Sequence, residues 1–225
     1  MTRKIIFIEL LLIAASLTAT TILYPNMPAQ VPTHWNFRFQ PDGYSPRLAL
    51  FWIGPGLMAG IMLLTWLLPW LSPRRFEIGS FRSTYGLLML FIFCLMAYID
   101  AYLLLTAVGG AINPGKAIGG GVCLFMILLG NLLGKVRRNF YLGVRTPWTL
   151  SNERVWYATH RFAAKTFVAA GLLGLLLSVM GFYVWAMFTL LAGGLAPVIY
   201  SLVYYKQLER CGELGEGQPG EPEKQ

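Results

Sequence analysis

Two carboxylates, Glu9 and Asp100, stand inside long apolar runs, and the chain's two histidines, His34 and His160, stand in its two most elaborate connectors. A carboxyl in apolar surroundings must face protein or water, carry a proton, or relay a proton or cation. A histidine offers metal ligation, pH sensing or a structural hydrogen bond. The spacing excludes more than it supports. There is no paired-histidine zinc motif and no Gly-x-Ser-x-Gly elbow. Gly119-Gly120-Gly121 lacks the Lys-Ser/Thr sequel of a phosphate loop and reads as a site of close helix packing. One acid per helix does not make an aspartyl dyad, which needs two carboxylates sharing a proton. Cys94 and Cys123 lie in apolar runs and Cys211 in a polar tail, so no disulfide or metal framework is implied. These residues predict a non-enzyme with no catalytic residue, no cofactor and no metal.

The elements that carry them are set by hydropathy. Of the 225 residues, 56% are hydrophobic and only 12% charged, about half the usual charged share, and mean hydropathy is +0.57. The apolar residues come in blocks, 5–23, 48–71, 85–108 and 117–133, followed by 40 residues without a charge at 166–205. A single helix of that last length would reach about 60 Å, twice a bilayer's hydrocarbon core, so it must fold into two spans. The turn is expected at Met180-Gly181-Phe182. The predicted fold is therefore all-α and polytopic, with six transmembrane helices. The 5–23 block resembles a signal peptide in position, but its length, Glu9 and the lack of a small-residue cleavage pattern predict an uncleaved first helix.

Orientation follows from the basic residues. Only Arg38, Arg47 and Lys116 of the 18 Lys and Arg fall in connectors on one side, and the other 15 fall on the opposite side. Basic residues are retained in the cytoplasm, so both termini and the 134–165 connector are expected inside. The charge of +8 thus fits a membrane surface and argues against direct nucleic-acid binding, which needs one basic soluble face. Residues 209–225 are expected to form a disordered cytoplasmic tail.

Two connectors are too elaborate to be mere links. The 24–47 segment holds five prolines, which lower the entropy lost on ordering and predict a defined shape without regular structure. Pro41-Asp42-Gly43 is a turn signal in which proline presets the bend and glycine takes a left-handed conformation. In the 134–165 segment, Pro147 breaks the first half and Ser151 is expected to cap a helix from about Asn152, with Glu153 in its first turn. On that helix Arg154, Arg161 and Lys165 share one stripe, opposite Val155, Trp156, Thr159, Phe162 and Ala163, as in an amphipathic helix on anionic lipid. Asn139, Arg145, Trp148 and Trp156 are expected to build a polar-aromatic pocket for a partner.

Both connectors resemble those of the SdpI family of bacterial membrane proteins, whose front half is described as a DUF1648 domain. The outer one matches through Tyr24-Pro25, Met27-Pro28, Val31-Pro32-Thr33-His34-Trp35-Asn36 and Pro41-Asp42-Gly43-Tyr44. The inner one matches from Asn139-Phe140-Tyr141-Leu142-Gly143-Val144-Arg145-Thr146-Pro147-Trp148-Thr149-Leu150 to Trp156 and Thr159-His160-Arg161. Ala29, Phe39 and Ala164 depart from the pattern, standing where an acid, a glycine and a glycine are common. The resemblance divides the chain into a DUF1648-like half (1–108, with three spans and the 24–47 loop), an SdpI-like half (109–208, with three spans and the 134–165 loop) and the tail. It implies an immunity and signal-transduction protein of the plasma membrane. Such a protein meets a secreted toxin peptide outside and holds a small helix-turn-helix repressor inside. Pro32, His34, Asn36, Asp42 and Gly43 would form the outer recognition surface. Asn139, Gly143, Arg145, Pro147, Trp148, Trp156 and Arg161 would form the inner one.

The alternative reading is a small transporter or channel using Asp100, with Glu9 as a second intramembrane polar group. Both readings require the two connectors to face opposite compartments. In a cysteine-free background, a membrane-impermeant thiol reagent is expected to modify His34→Cys in intact cells and Trp148→Cys only after lysis. Equal labelling of both in intact cells would refute the two-sided scheme.

Overall fold

The computed structural model describes residues 3–71, 82–139 and 141–214. The basic residues Arg74 and Arg75, the motif residue Phe140 and the tail beyond residue 214 lie outside them. Among the described residues, six helices are long and apolar enough to cross a membrane: Arg3–Asn26, Arg47–Leu68, Arg82–Ala107, Gly115–Leu133, Glu153–Val179 and Tyr183–Arg210. The chain is a multi-pass, mostly helical membrane protein, as the hydropathy blocks require.

The helices are α1 (Arg3–Leu23), α2 (Leu57–Leu71), α3 (Arg82–Ala107), α4 (Gly120–Leu133), α5 (Pro147–Ser151), α6 (Glu153–Val179) and α7 (Tyr183–Arg210). π-Helical turns at Trp52–Gly56 and Gly115–Gly119 lead into α2 and α4. Each contains or follows a proline, Pro55 and Pro114, whose missing N–H loosens the local ladder. Helix α1 is polar inside and apolar outside: its buried residues are Glu9, Ser16 and Thr20, while Phe7, Leu10, Leu11, Leu17 and Ile22 are exposed. A helix in water would reverse this, whereas lipid accepts the apolar face and the protein must take the polar one.

Helices α4, α6 and α7 meet through small residues. Without a hydrophobic drive between helices in lipid, close backbone approach and dispersion carry association. A Cβ on Gly130 would run into Val168 and the Ala164 carbonyl, one on Gly171 into Ile127 and the Cys123 carbonyl, and one on Gly193 into Ala170. Two hydroxyls cross the same seam, Thr166 Oγ1 to the Gly193 carbonyl at 3.2 Å and Thr189 Oγ1 to the Ala170 carbonyl at 3.4 Å. Of the Gly119–Gly121 run, Gly121 lies against the Tyr98 ring. α6 ends where expected: Gly181 has φ 87°, and the Gly181 and Phe182 N–H groups bond back to Ser178 and Leu177. Such a left-handed glycine caps the helix and turns the chain into α7.

The 24–47 connector departs from expectation, for it contains regular structure. Strands β1 (Gln30–Trp35) and β2 (Pro41–Pro46) pair antiparallel, with irregularities on either side of His34. Pro41-Asp42-Gly43 lies within β2 rather than at the bend. The bend is made by Asn36, whose Oδ1 accepts from the N–H groups of Arg38 and Gln40 at 2.8 and 3.1 Å. Phe39 supplies the left-handed residue at φ 57°. Gly43 is small for another reason: it sits opposite His34, whose Cβ leaves no room for a side chain. The hairpin is seated by Val31 and Met27, buried against Leu50, Tyr102, Leu103 and Ala107. Arg47 ties its base, donating to the Tyr24 and Met27 carbonyls at 3.3 and 3.0 Å and lying over the Tyr24 ring.

At the other end of the chain, α7 runs to Arg210, and Glu213 Oε2 accepts from Arg154 Nη1 at 2.6 Å. The first residues of the expected tail are therefore ordered against α6.

Gly171→Val is expected to force α4 and α6 apart. Overpacking of this kind costs about 1–3 kcal/mol; a lowered thermal midpoint in detergent, against an unchanged one for Gly60→Val, whose Cβ position is open, checks it.

Candidate functional site

Two polar constellations stand at opposite ends of α3. The hairpin rests on Tyr102, and the 134–165 segment packs beside Tyr85. Seventeen residues of helix separate those tyrosines, about 25 Å.

At the hairpin end, Thr33, His34, Trp35 and Asn36 roof a cavity of 420 Å³. Its floor is apolar, made by Ile99, Tyr102 and Leu103 of α3, Ile118 and Val122 around the start of α4, and Met187 of α7. Trp35 leans on Tyr102 with ring centroids 5.5 Å apart, and the Tyr102 hydroxyl is buried without a partner. His34 Nδ1 lies 2.5 Å from Asp42 Oδ1, with side chains 72% and 43% exposed. A carboxylate only accepts, so Nδ1 carries the hydrogen of this bond. An apolar cavity with a few polar groups at its mouth suits one end of an amphipathic ligand. Of the five expected outer residues, His34 and Asn36 line this cavity. Asp42 orients His34, Gly43 makes room for it, and Pro32 pairs with Tyr44 in the ladder. Among the described residues no group of three or more His, Cys, Asp or Glu is gathered as for a metal ion.

At the opposite end, the expected pocket of Asn139, Arg145, Trp148 and Trp156 does not form as an open site. Asn139 is fully buried and spends its amide on its own loop. Nδ2 donates to the Arg137 and Leu142 carbonyls at 2.9 and 3.1 Å, and Oδ1 accepts from the Tyr141 and Leu142 N–H groups at 2.8 and 2.7 Å. Trp156 is also fully buried, its Nε1 donating to the Val136 carbonyl at 2.9 Å. It stacks on His160 with centroids 4.1 Å apart.

His160 is the hub of this end. The Val144 N–H donates to Nε2 at 3.1 Å, so Nε2 is unprotonated and Nδ1–H must donate to the Trp156 carbonyl at 2.8 Å. Both bonds require the neutral ring. Gly143, at φ 104°, passes so close to His160 that a Cβ would overlap Nε2. A glycine is needed here twice, for backbone conformation and for space.

The next turn is a capping box that sequence reading passed over, although Thr-Pro-x-Thr spelled it out. Thr146 and Thr149 bond reciprocally around α5, and Thr146 Oγ1 meets Ser201 Oγ of α7 at 3.0 Å. Ser151 is not the cap of α6: Asn152 is, its side chain accepting from the Val155 N–H. Arg154, Arg161 and Lys165 are exposed, and Val155, Trp156, Thr159 and Ala163 are buried, so the stripe is as expected. Of the seven expected inner residues, Gly143, Arg145, Pro147 and Arg161 are exposed and Trp148 is half-buried.

Two family models match the chain: the SdpI/YfhL protein family over residues 135–205 and the DUF1648 domain of unknown function over residues 11–59. The chain is 31% identical over 205 residues to "Immunity protein SdpI" of Bacillus subtilis (strain 168), covering 89% of this chain and 96% of that protein. No solved structure matches it significantly.

His160→Ala strands the Val144 N–H and removes the Trp156 stack. Leaving a buried group unsatisfied costs about 1–3 kcal/mol, expected as a lower thermal midpoint together with faster proteolysis between Gly134 and Pro147.

Proposed function

The chain belongs to the SdpI/YfhL protein family, and on that premise we propose that it is an immunity protein of the bacterial plasma membrane. It protects its cell from a secreted toxin peptide met at the hairpin, with both termini and the 134–165 segment in the cytoplasm. The observation that carries this reading is the identity to an immunity protein across 89% of the chain.

The geometry supports a route from reception to readout. α7 contributes Met187 to the cavity beneath the hairpin and Ser201 to the Thr146 contact of the inner segment. Fourteen residues of α7, with Pro197 among them, join them, about 21 Å. α4, whose leading π-turn borders the cavity, packs through Gly130 on α6, whose first turns hold Trp156 and His160. A ligand that favours one placement of these helices biases the Gly143–Trp148 surface by its differential affinity for the two arrangements. A small helix-turn-helix repressor recognised by Arg145, Trp148 and Arg161 is the inner partner this reading implies.

Cells carrying the gene are expected to survive a cognate toxin peptide that kills cells lacking it. Val122→Trp, which fills the cavity, is expected to abolish survival while membrane insertion is kept. Trp148→Ala is expected to retain survival but lose capture of the repressor. Equal killing with and without the gene would refute the immunity role for that toxin.

A further inference from the structure

Asp100 lies within the third span, and among the described residues no basic side chain pairs with it. It lies 18 residues from the start of α3 and seven from its end, about 27 and 10 Å along the axis. Its side chain is almost wholly buried, at 3% exposure. Oδ2 accepts from Ser16 Oγ of α1 at 2.7 Å, and Oδ1 has no partner. On the side of the second span the carboxyl is pressed against Gly54 of the π-turn, where a Cβ would overlap Oδ1. The ion pairs among the described residues are His34–Asp42, Arg154–Glu213 and Lys206–Glu209, so none involves Asp100. The titratable groups flanking it on α3 are Tyr98, which donates to the Ala117 carbonyl, and Tyr102, whose hydroxyl is unpartnered. On α1, Arg3 and Lys4 are exposed at its start, and the buried titratable group is Glu9, two turns below Ser16 on the same inward face, with neither oxygen bonded.

The site is reachable. A groove of 330 Å³ between α1 and α3 is bordered by Leu12, Ala15, Ser16, Ala97, Asp100 and Leu104. It is carbon-lined except for the Ser16 hydroxyl and the carboxyl. An ionised carboxylate with an unserved oxygen in such a place is costly. A hard cation demands six or more oxygens, or several retained waters, and the residues lining this groove offer at most three side-chain oxygens, from Asp100 and Ser16. A proton needs one oxygen and removes the charge.

We propose that Asp100 is a proton-binding site within the bilayer, seated between α1, α3 and the π-turn that leads into α2, and approached through the α1–α3 groove. The proton bonds to a carboxylate oxygen of Asp100, the ion becoming the neutral acid, and Ser16 keeps its hydrogen bond to the carboxyl. This gives the protein an intramembrane group that can gain or lose a proton, independent of what the hairpin binds.

The test uses the full chain purified into phosphatidylcholine–phosphatidylglycerol liposomes, without toxin. Dicyclohexylcarbodiimide, an apolar reagent for protonated carboxyls, is added at neutral pH and the adduct located by peptide mass spectrometry. The infrared carbonyl band of a carboxylic acid is recorded in parallel. The expected result is an adduct on Asp100 in preference to Glu9, which does not line the groove. Adduct and part of the acid band should both be lost in the near-isosteric Asp100→Asn, and Ser16→Ala, which keeps the acid, should retain both. An acid band identical in wild type and Asp100→Asn, or protection of Asp100 by sodium or potassium ions, would overturn the proposal. Because no ligand or survival readout enters, failure here leaves the immunity reading standing, and failure of that reading leaves this one.

Discussion

Hydrocarbon offers no hydrogen bond, so a polar group carried into the spans is costly unless it finds a partner in the chain itself or loses its charge. Much of the arrangement follows from that rule. α1 turns Glu9, Ser16 and Thr20 inward and gives its leucines to the lipid. Thr20 bonds back to the Ser16 carbonyl, Thr65 to the Ile61 carbonyl, and Tyr85 reaches across to the Thr65 carbonyl. The bonds that cross between helices, Tyr85 to Thr65 and Ser16 to Asp100, favour one rotation of α1, α2 and α3 against one another, whereas the Thr20 and Thr65 hydroxyls are satisfied within their own helices.

The second half of the chain meets a different consequence of the same solvent. Apolar side chains gain little by leaving lipid for one another, so helices hold together where their backbones come close. Gly130, Gly171, Gly174 and Gly193 line that approach between α4, α6 and α7. The tight contact makes the three helices one body, and that body reaches both the cavity under the hairpin and the segment around His160.

At the two ends water is near, yet the connectors still satisfy themselves. Asn139 uses all four of its hydrogen-bonding positions on its own loop, and His160 uses both ring nitrogens. Residues that sequence reading assigned to partner contact thus prove to be the internal frame that presents Arg145, Pro147 and Trp148. In the hairpin the same exchange occurs, since Asn36 makes the bend and Asp42 holds His34. A polar residue type announces that a hydrogen bond will be made without saying whether its partner lies inside the chain or outside it.

The number of spans, their approximate places, the α6–α7 turn around Gly181 and the basic stripe of α6 were legible because hydropathy, helix period and turn chemistry are properties of neighbouring residues. The hairpin was missed because five prolines disguised two short strands, and Pro41-Asp42-Gly43 carries a turn signature that the Asn36 bend pre-empts. The contacts that build both sites were beyond reach for a single reason. His34 meets Asp42 across 8 residues, Val144 meets His160 across 16, and Ser16 meets Asp100 across 84. Order along the chain determines which residues enter the bilayer. Which of them touch is decided by the rotation and spacing of packed helices, and only the folded chain sets those.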